Sequence, residues 1–281
     1  MISIALLLAV LNLGTEAQAG LTKGSFAREG SLDQVIPPAI RARIDARKLE
    51  KELGMSLQAT PDYSDLPTEV SLRNRDRAVT DQGSKPWCTI YGLASVMENM
   101  LGDGTDLSER DGWDNQGGKQ SVQASQRWNE RYGMVEEPYW PMGRRPARGY
   151  CSGRRLKPTD IKYIEDDVEA AIRHIAAGKP VYVGMSTPSS MLAKDPIIDP
   201  NRGTTGGGHA IAFVGYRLDS SVLGGGYFLV KNSWGEDTGD HGYQWLPIGT
   251  CAKRGFYCSM YTFGAVTLAP AAPWCSNGDS G

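Results

Sequence analysis

The chain has 281 residues, 40% of them hydrophobic, and a formal net charge of −2. That is enough apolar material for one large domain or two small ones. The near-balance of charge gives no electrostatic footprint for nucleic acid or an anionic membrane, and the 34 glycines suit a loop-rich, partly β protein.

The amino-terminal stretch reads as an export signal. Residues 2–13 form an apolar run too short to span a bilayer comfortably, and Ala17-Gln18-Ala19 supplies the small-x-small pattern of a signal-peptidase site, with cleavage after Ala19. No Lys or Arg precedes the run, so an uncleaved anchor is the competing reading. Export places the protein outside the cytoplasm, secreted or periplasmic, with no membrane contact once the signal is gone.

Residues 20–65 form a separate region. A helix is expected from Pro37 to Leu53, with Gly54 as its stop. Ile36, Ile40, Ile44, Leu49 and Leu53 give it a narrow apolar stripe, and Arg41, Arg43, Arg47, Lys48 and Lys51 make the remainder basic. A lone amphipathic helix must dock on something, either the cleft of the main domain or, as an ordinary terminal helix, elsewhere on it.

The main domain is expected from Leu66 to Leu268, followed by a loosely ordered tail from Ala269. Its first half reads as helical over residues 89–100 and 121–131, with a Gly/Asp/Asn loop over 111–119 between them. A third helix is expected from Thr159 or Asp160 to Ala177. Strand-like runs follow at 181–185, 210–216, 227–231, 243–246 and 263–268. Helices first and strands second imply an α+β chain of two lobes meeting at a cleft.

Five cysteines, Cys88, Cys151, Cys251, Cys258 and Cys275, suggest one free thiol and two bridges in an oxidising compartment. With Cys88 free, Cys251 and Cys258 are natural partners across a short loop, which leaves Cys151 and Cys275 for each other by elimination.

Cys88 carries the chemistry. It opens an apolar helix, where free backbone N–H groups and the helix dipole favour thiolate over thiol. Far downstream, His209 and Asn232 each stand at an end of a strand-like run. A thiol, an imidazole and an orienting amide are the parts of a cysteine nucleophile with its base. His174 reads as a surface residue and His241 as a turn residue. The three histidines make no metal-ligand set, and no metal or other cofactor is expected. Gly206-Gly207-Gly208 lacks the Lys-Ser/Thr ending of a phosphate loop.

Gln82-Gly83 followed by Cys88, then Gly208-His209-Ala210, then Asn232-Ser233-Trp234-Gly235 resemble the active-site blocks of the papain family of cysteine peptidases. Leu66-Pro67, Gly117-Gly118 and Tyr139-Trp140-Pro141 resemble further blocks in the same order, so the likeness covers residues 66–268. It implies a papain-like, two-lobed α+β fold and a monomeric endopeptidase acting on peptide or protein substrates. It implies Cys88 as nucleophile, His209 as base, Asn232 as its orienter and Gln82 as oxyanion donor. Trp234 would shield the His–Asn bond, and Gly117, Gly118 and Gly208 would border the substrate. The pro-region would then be a cleft inhibitor of a latent precursor.

Departures stand beside these matches. Thr89 occupies the usual tryptophan position after the nucleophile, Trp87 stands before it, and Lys85-Pro86 replaces a usual cysteine. Trp87 is expected to narrow the leaving-group side. The same chemistry would also serve a narrower hydrolase trimming peptide ends. A papain-fold binding or inhibitory protein is the non-catalytic alternative, against which the intact Cys88, His209, Asn232 and Gln82 argue.

Overall fold

The computed structural model describes residues 63–252 and 256–275; the expected signal segment, the basic helix and the loop glycine between Cys251 and Cys258 lie outside these. The described chain begins with β1 (Glu69–Ser71) and enters a helical lobe through α1 (Cys88–Leu101). Ile90, Leu93, Val96 and Met97 of α1 are fully buried, and left-handed Gly102 ends the helix by donating to Glu98 O.

α2 (Glu109–Asn115) occupies the stretch expected to be a loop. Its Asp, Gly and Asn content is poor for helices, and tertiary contacts override it. Ser108 caps the helix by accepting from Asp111 N at 3.0 Å. The Asp111 carboxylate is buried against Arg155 at 2.8 Å. A Cβ at Gly112 would stand 2.7 Å from Met134 Sδ, so the glycine lets that methionine pack closely on α2.

α3 (Val122–Tyr132) has Ser121 as its cap, and Gly133 ends it. β2 (Met134–Val135) and β3 (Arg155–Thr159) then pair antiparallel.

The expected long third helix is two elements, β4 (Lys162–Glu165) and α4 (Val168–Ala176). Left-handed backbone at Asp160 and Glu165 breaks the path, and Asp167 starts α4 by accepting from Ala170 N at 3.0 Å. β5 (Val181–Pro188), β6 (Thr204–Leu218), β7 (Gly226–Lys231), β8 (Tyr243–Pro247) and β9 (Cys258–Thr262) complete the β lobe. Its sheet runs β4-β9-β5-β6-β7-β8, with β1 added on β6. β10 (Ala265–Leu268) crosses back to pair with β3 in the helical lobe. Each lobe is therefore finished by a strand from the opposite end of the described chain.

Cys251–Cys258 and Cys151–Cys275 are the two bridges, and Cys88 is free. The second joins residues 124 apart in sequence, a separation worth roughly 5 kcal/mol of loop-closure entropy in the chain-entropy model. The described part of the tail is accordingly packed rather than loose. Ala272 is buried, and Trp274 lies 5.3 Å from Tyr132 and donates to Tyr150 Oη at 3.3 Å. No helix among the described residues is long and apolar enough to cross a membrane.

Candidate active site

Cys88 is the first residue of α1 and has no solvent exposure. The backbone N–H groups of Ala210, Thr89 and Cys88 itself favour the thiolate, yet burial outweighs them and pushes the thiol up to about 12. Helix position favours the thiolate, as the sequence suggests, while burial favours the thiol and is the larger of these two effects. The Ala210 contact also sets the thiol beside the residue that follows His209. Close packing makes this possible, since a Cβ on Gly92, one turn into α1, would stand only 3.1 Å from Ile211 N.

His209 lies on β6, fully buried. Its Nε2 is 2.9 Å from Asn232 Oδ1, and its ring stacks on Trp234 at 4.4 Å. Asn232 has its own support. Its Oδ1 also accepts from Ser233 N at 2.8 Å, and its Nδ2 donates to Gln244 Oε1 at 3.1 Å. Gln244 in turn donates to Asp195 O at 2.8 Å and Met191 O at 3.3 Å. This chain orients the amide so that oxygen faces the ring. Nε2 therefore carries the proton and Nδ1 is left to accept one.

Gln82 is buried at the start of the loop before Cys88. Its backbone N donates to Ser233 O at 2.9 Å, and Ser233 Oγ donates to its side-chain oxygen at 2.5 Å. One amide hydrogen goes to Lys85 O at 2.8 Å; the amide has a second to offer. Thus one short segment, residues 232–234, contacts both the imidazole and Gln82.

The structure brings Cys88, His209, Asn232, Gln82 and Trp234 together where α1 packs against β6. Gly208 is buried beside His209 and pairs with Ser186 of β5. Gly117 and Gly118 are exposed just beyond α2, both with φ of 69°, so their requirement for glycine comes from a left-handed turn. Trp87 is buried next to Cys88. It stacks on Trp113 of α2 at 5.2 Å, and a Cβ on Gly118 would lie 3.6 Å from the same Trp113. Its bulk therefore falls on the double-glycine side. His174 is half-buried rather than superficial, and desolvation lowers it to about 4. His241 sits in a turn with φ of 51°. Sequence reading missed Gln244 and Tyr182, whose hydroxyl donates to Thr89 O at 2.8 Å. Neither lies in a motif, and only the strand pairing reveals them. Among the described residues no cluster of His, Cys, Asp or Glu could hold a metal ion.

The fold and site define a two-lobed α+β protein in which a buried thiol at the start of α1 lies next to the strand that carries a buried imidazole. A model of the papain family of cysteine proteases matches residues 109–262, and the chain belongs to that family. The match contains His209 and Asn232 but begins after Cys88 and Gln82. The chain is 26% identical over 219 residues to a cysteine endopeptidase, RepA, of Oryza sativa, covering 71% of this chain and 57% of that one. It is 27% identical over 218 residues to cathepsin S of Mus musculus, covering 69% of this chain and 63% of that one. It thus spans about three-fifths of the length of these relatives. Among solved structures, xylellain, a cysteine protease from Xylella fastidiosa, superposes with a TM-score of 0.63 at 20% identity, covering 89% of this chain and all of that one. Bromelain from Ananas comosus gives 0.57 at 18% identity, covering 71% and 100%.

Proposed function

We propose that this protein is a cysteine endopeptidase working through Cys88 and His209. The observation that carries the reading is the His209–Asn232 bond at 2.9 Å on a strand whose next residue, Ala210, donates to the Cys88 thiol. Burial favours the neutral thiol, so the imidazole is needed to reach the thiolate: His209 Nδ1 takes the proton from Cys88 Sγ, and the sulfur attacks the peptide carbonyl. The C=O π electrons move onto oxygen, where the second Gln82 amide hydrogen and the Cys88 backbone N–H receive the charge. Collapse of the adduct breaks the C–N bond, and His209 gives its proton to the departing amine. Water then attacks the thioester with His209 as base, releasing the acid and restoring the thiol. Asn232 keeps Nε2 protonated and the ring in plane throughout, and Trp234 keeps water from their bond.

The protein acts outside the cytoplasm, where its two bridges are maintained, and is made as a latent precursor whose residues 20–65 cover the cleft. Asp65, at the end of that region, pairs with Arg173 of α4 at 2.7 Å, so the connector leaves from the β lobe. Cleavage of internally quenched peptides, stopped by one equivalent of an epoxide-type thiol inhibitor, tests the chemistry. Stoichiometric labelling of Cys88 without turnover would favour a binding protein instead. Comparing chains starting at Gly20 and at Leu66 tests latency, and equal activity with the longer form uncleaved overturns it.

A further inference from the structure

A cavity of about 590 Å³ lies in the helical lobe, outside the catalytic group, lined by Trp140, Tyr150, Trp274, Asn115, Arg145 and Arg148. Its polar wall hydrogens are mostly committed within the protein. Tyr150 Oη donates to Asp111 Oδ1 at 2.5 Å, Trp274 Nε1 to Tyr150 Oη at 3.3 Å and Trp140 Nε1 to Arg144 O at 3.1 Å. The walls thus present aromatic faces, and recognition of a polar group falls to the two guanidinium groups. Both arginines are exposed and have no carboxylate partner among the described residues. Arg154 pairs with Glu136 and Arg155 with Asp111, so nearby acids are already taken. Residues 138–159 contain no Asp or Glu at all. This is a locally cationic cavity on a protein of net charge −2.

Its position relates it to the thiol. Trp113 and Asn115 are two residues apart on α2, about 200° around the helix. The Trp113 side meets Trp87, the residue before Cys88, at 5.2 Å. The Asn115 side meets the cavity. Gly117 and Gly118 lead off the end of the helix between these faces. A helix with its side chains is roughly 10 Å across, which about three extended residues span at roughly 3.3 Å each.

We propose that this cavity is an accessory recognition site for acidic peptide segments, taking a Glu or Asp side chain of the substrate three to five residues from the scissile bond, on the Gly117–Gly118 side. The carboxylate pairs with Arg145 and Arg148, and the aliphatic stem lies on the indole faces. The proposal rests on the peptidase reading for its role, though binding itself does not require turnover.

The test has two arms. In the first, quenched peptides sharing one cleaved core carry a four-residue extension at either end, containing two Glu or two Gln. The Glu extension is expected to lower KM about tenfold at unchanged kcat, from one end only, and Arg145→Ala/Arg148→Ala is expected to erase that difference. A preference that survives the double substitution, or no preference at all, overturns the proposal. In the second arm, a fluorescent Glu-extended peptide is titrated into Cys88→Ala protein after residues up to 65 have been cleaved off by an added protease. Binding is expected to weaken about tenfold with the arginines replaced, and to fall as salt rises from about 0.05 to 0.5 M. Arginine-dependent binding without cleavage of any peptide sinks the peptidase reading and leaves the site standing. Inorganic phosphate displacing the peptide at equal concentration would show a plain anion site and overturn the peptide assignment.

Discussion

The two sides of the cleft are held by different means. On the thiol side, Cys88 is placed by main chain and close packing: the start of α1, three backbone N–H groups and the contact of Gly92 with β6. On the imidazole side, His209 is held by a relay of side chains through Asn232 and Gln244 to two backbone carbonyls, with Trp234 stacked on the ring. Main-chain placement survives most single substitutions, whereas a relay of amides can be cut at any link. The nucleophile side should therefore fail all at once, through loss of its sulfur, and the base side by degrees.

Removing the reacting groups gives the largest effect. Cys88→Ala and His209→Ala are each expected to lower kcat/KM by about four orders of magnitude or more, and the double substitution hardly further, because the pair acts as a unit. Steady-state kinetics with matched circular dichroism checks this. Additive losses would break the comparison by making the two sides independent. Next comes Gln82→Ala, expected to reduce kcat about a hundredfold with KM little changed, as for a donor engaged mainly in the transition state. A rise in KM alone would make Gln82 an ordinary substrate contact.

The relay is tested by degrees. Asn232→Ala removes a hydrogen bond to a group that becomes charged, worth about 1.5–3 kcal/mol, and so costs roughly ten- to a hundredfold in kcat. Gln244→Leu, one link further out, is expected to cost about tenfold or less. The reverse ranking would place the orienting function at Gln244. The smallest effect on turnover is expected within α1, at Glu98. Burial raises its carboxyl to about 7, even though Leu107 N donates to it at 2.9 Å. The folded value lies above the ordinary 4.5, so the stability contribution is whole below about pH 4.5 and declines as pH rises to about 7. Glu98→Gln keeps the acceptor and removes the titration. It should raise Tm by several degrees at pH 8 and by less at pH 5, corresponding to about 3 kcal/mol at most. An equal gain at both values would show that ionisation is not the cause.

The gathering of the proposed site residues was legible in sequence because each stands within a short run of neighbours whose reasons are local. Cys88 follows a turn and opens an oily helix, and Asn232 closes a strand and precedes an aromatic shield. The fold class was legible from the change of period along the chain. What escaped notice depends on distant partners. α2 exists because Asp111 meets Arg155, 44 residues later, and because Gly112 fits beneath Met134. The tail packs because Trp274 finds Tyr150, 124 residues earlier. Trp87 turned toward Trp113 for the same reason. A sequence states which residue is present but not which remote ring it will face.

The exchange of end strands between lobes has a consequence for the order in which the molecule can assemble. A growing chain emerges amino-terminus first, and domains generally fold in that order. Here the helical lobe cannot follow that schedule, because β10 and Trp274 are made after the entire β lobe. Until they arrive, β3 lacks its outer neighbour, and Trp128 and Tyr132 lack the ring that packs against them. The lobe that carries Cys88 is therefore completed last. Cys151 has no native partner until Cys275 is made, so chains truncated before Cys275 should be the ones most prone to bridge incorrectly under oxidising conditions.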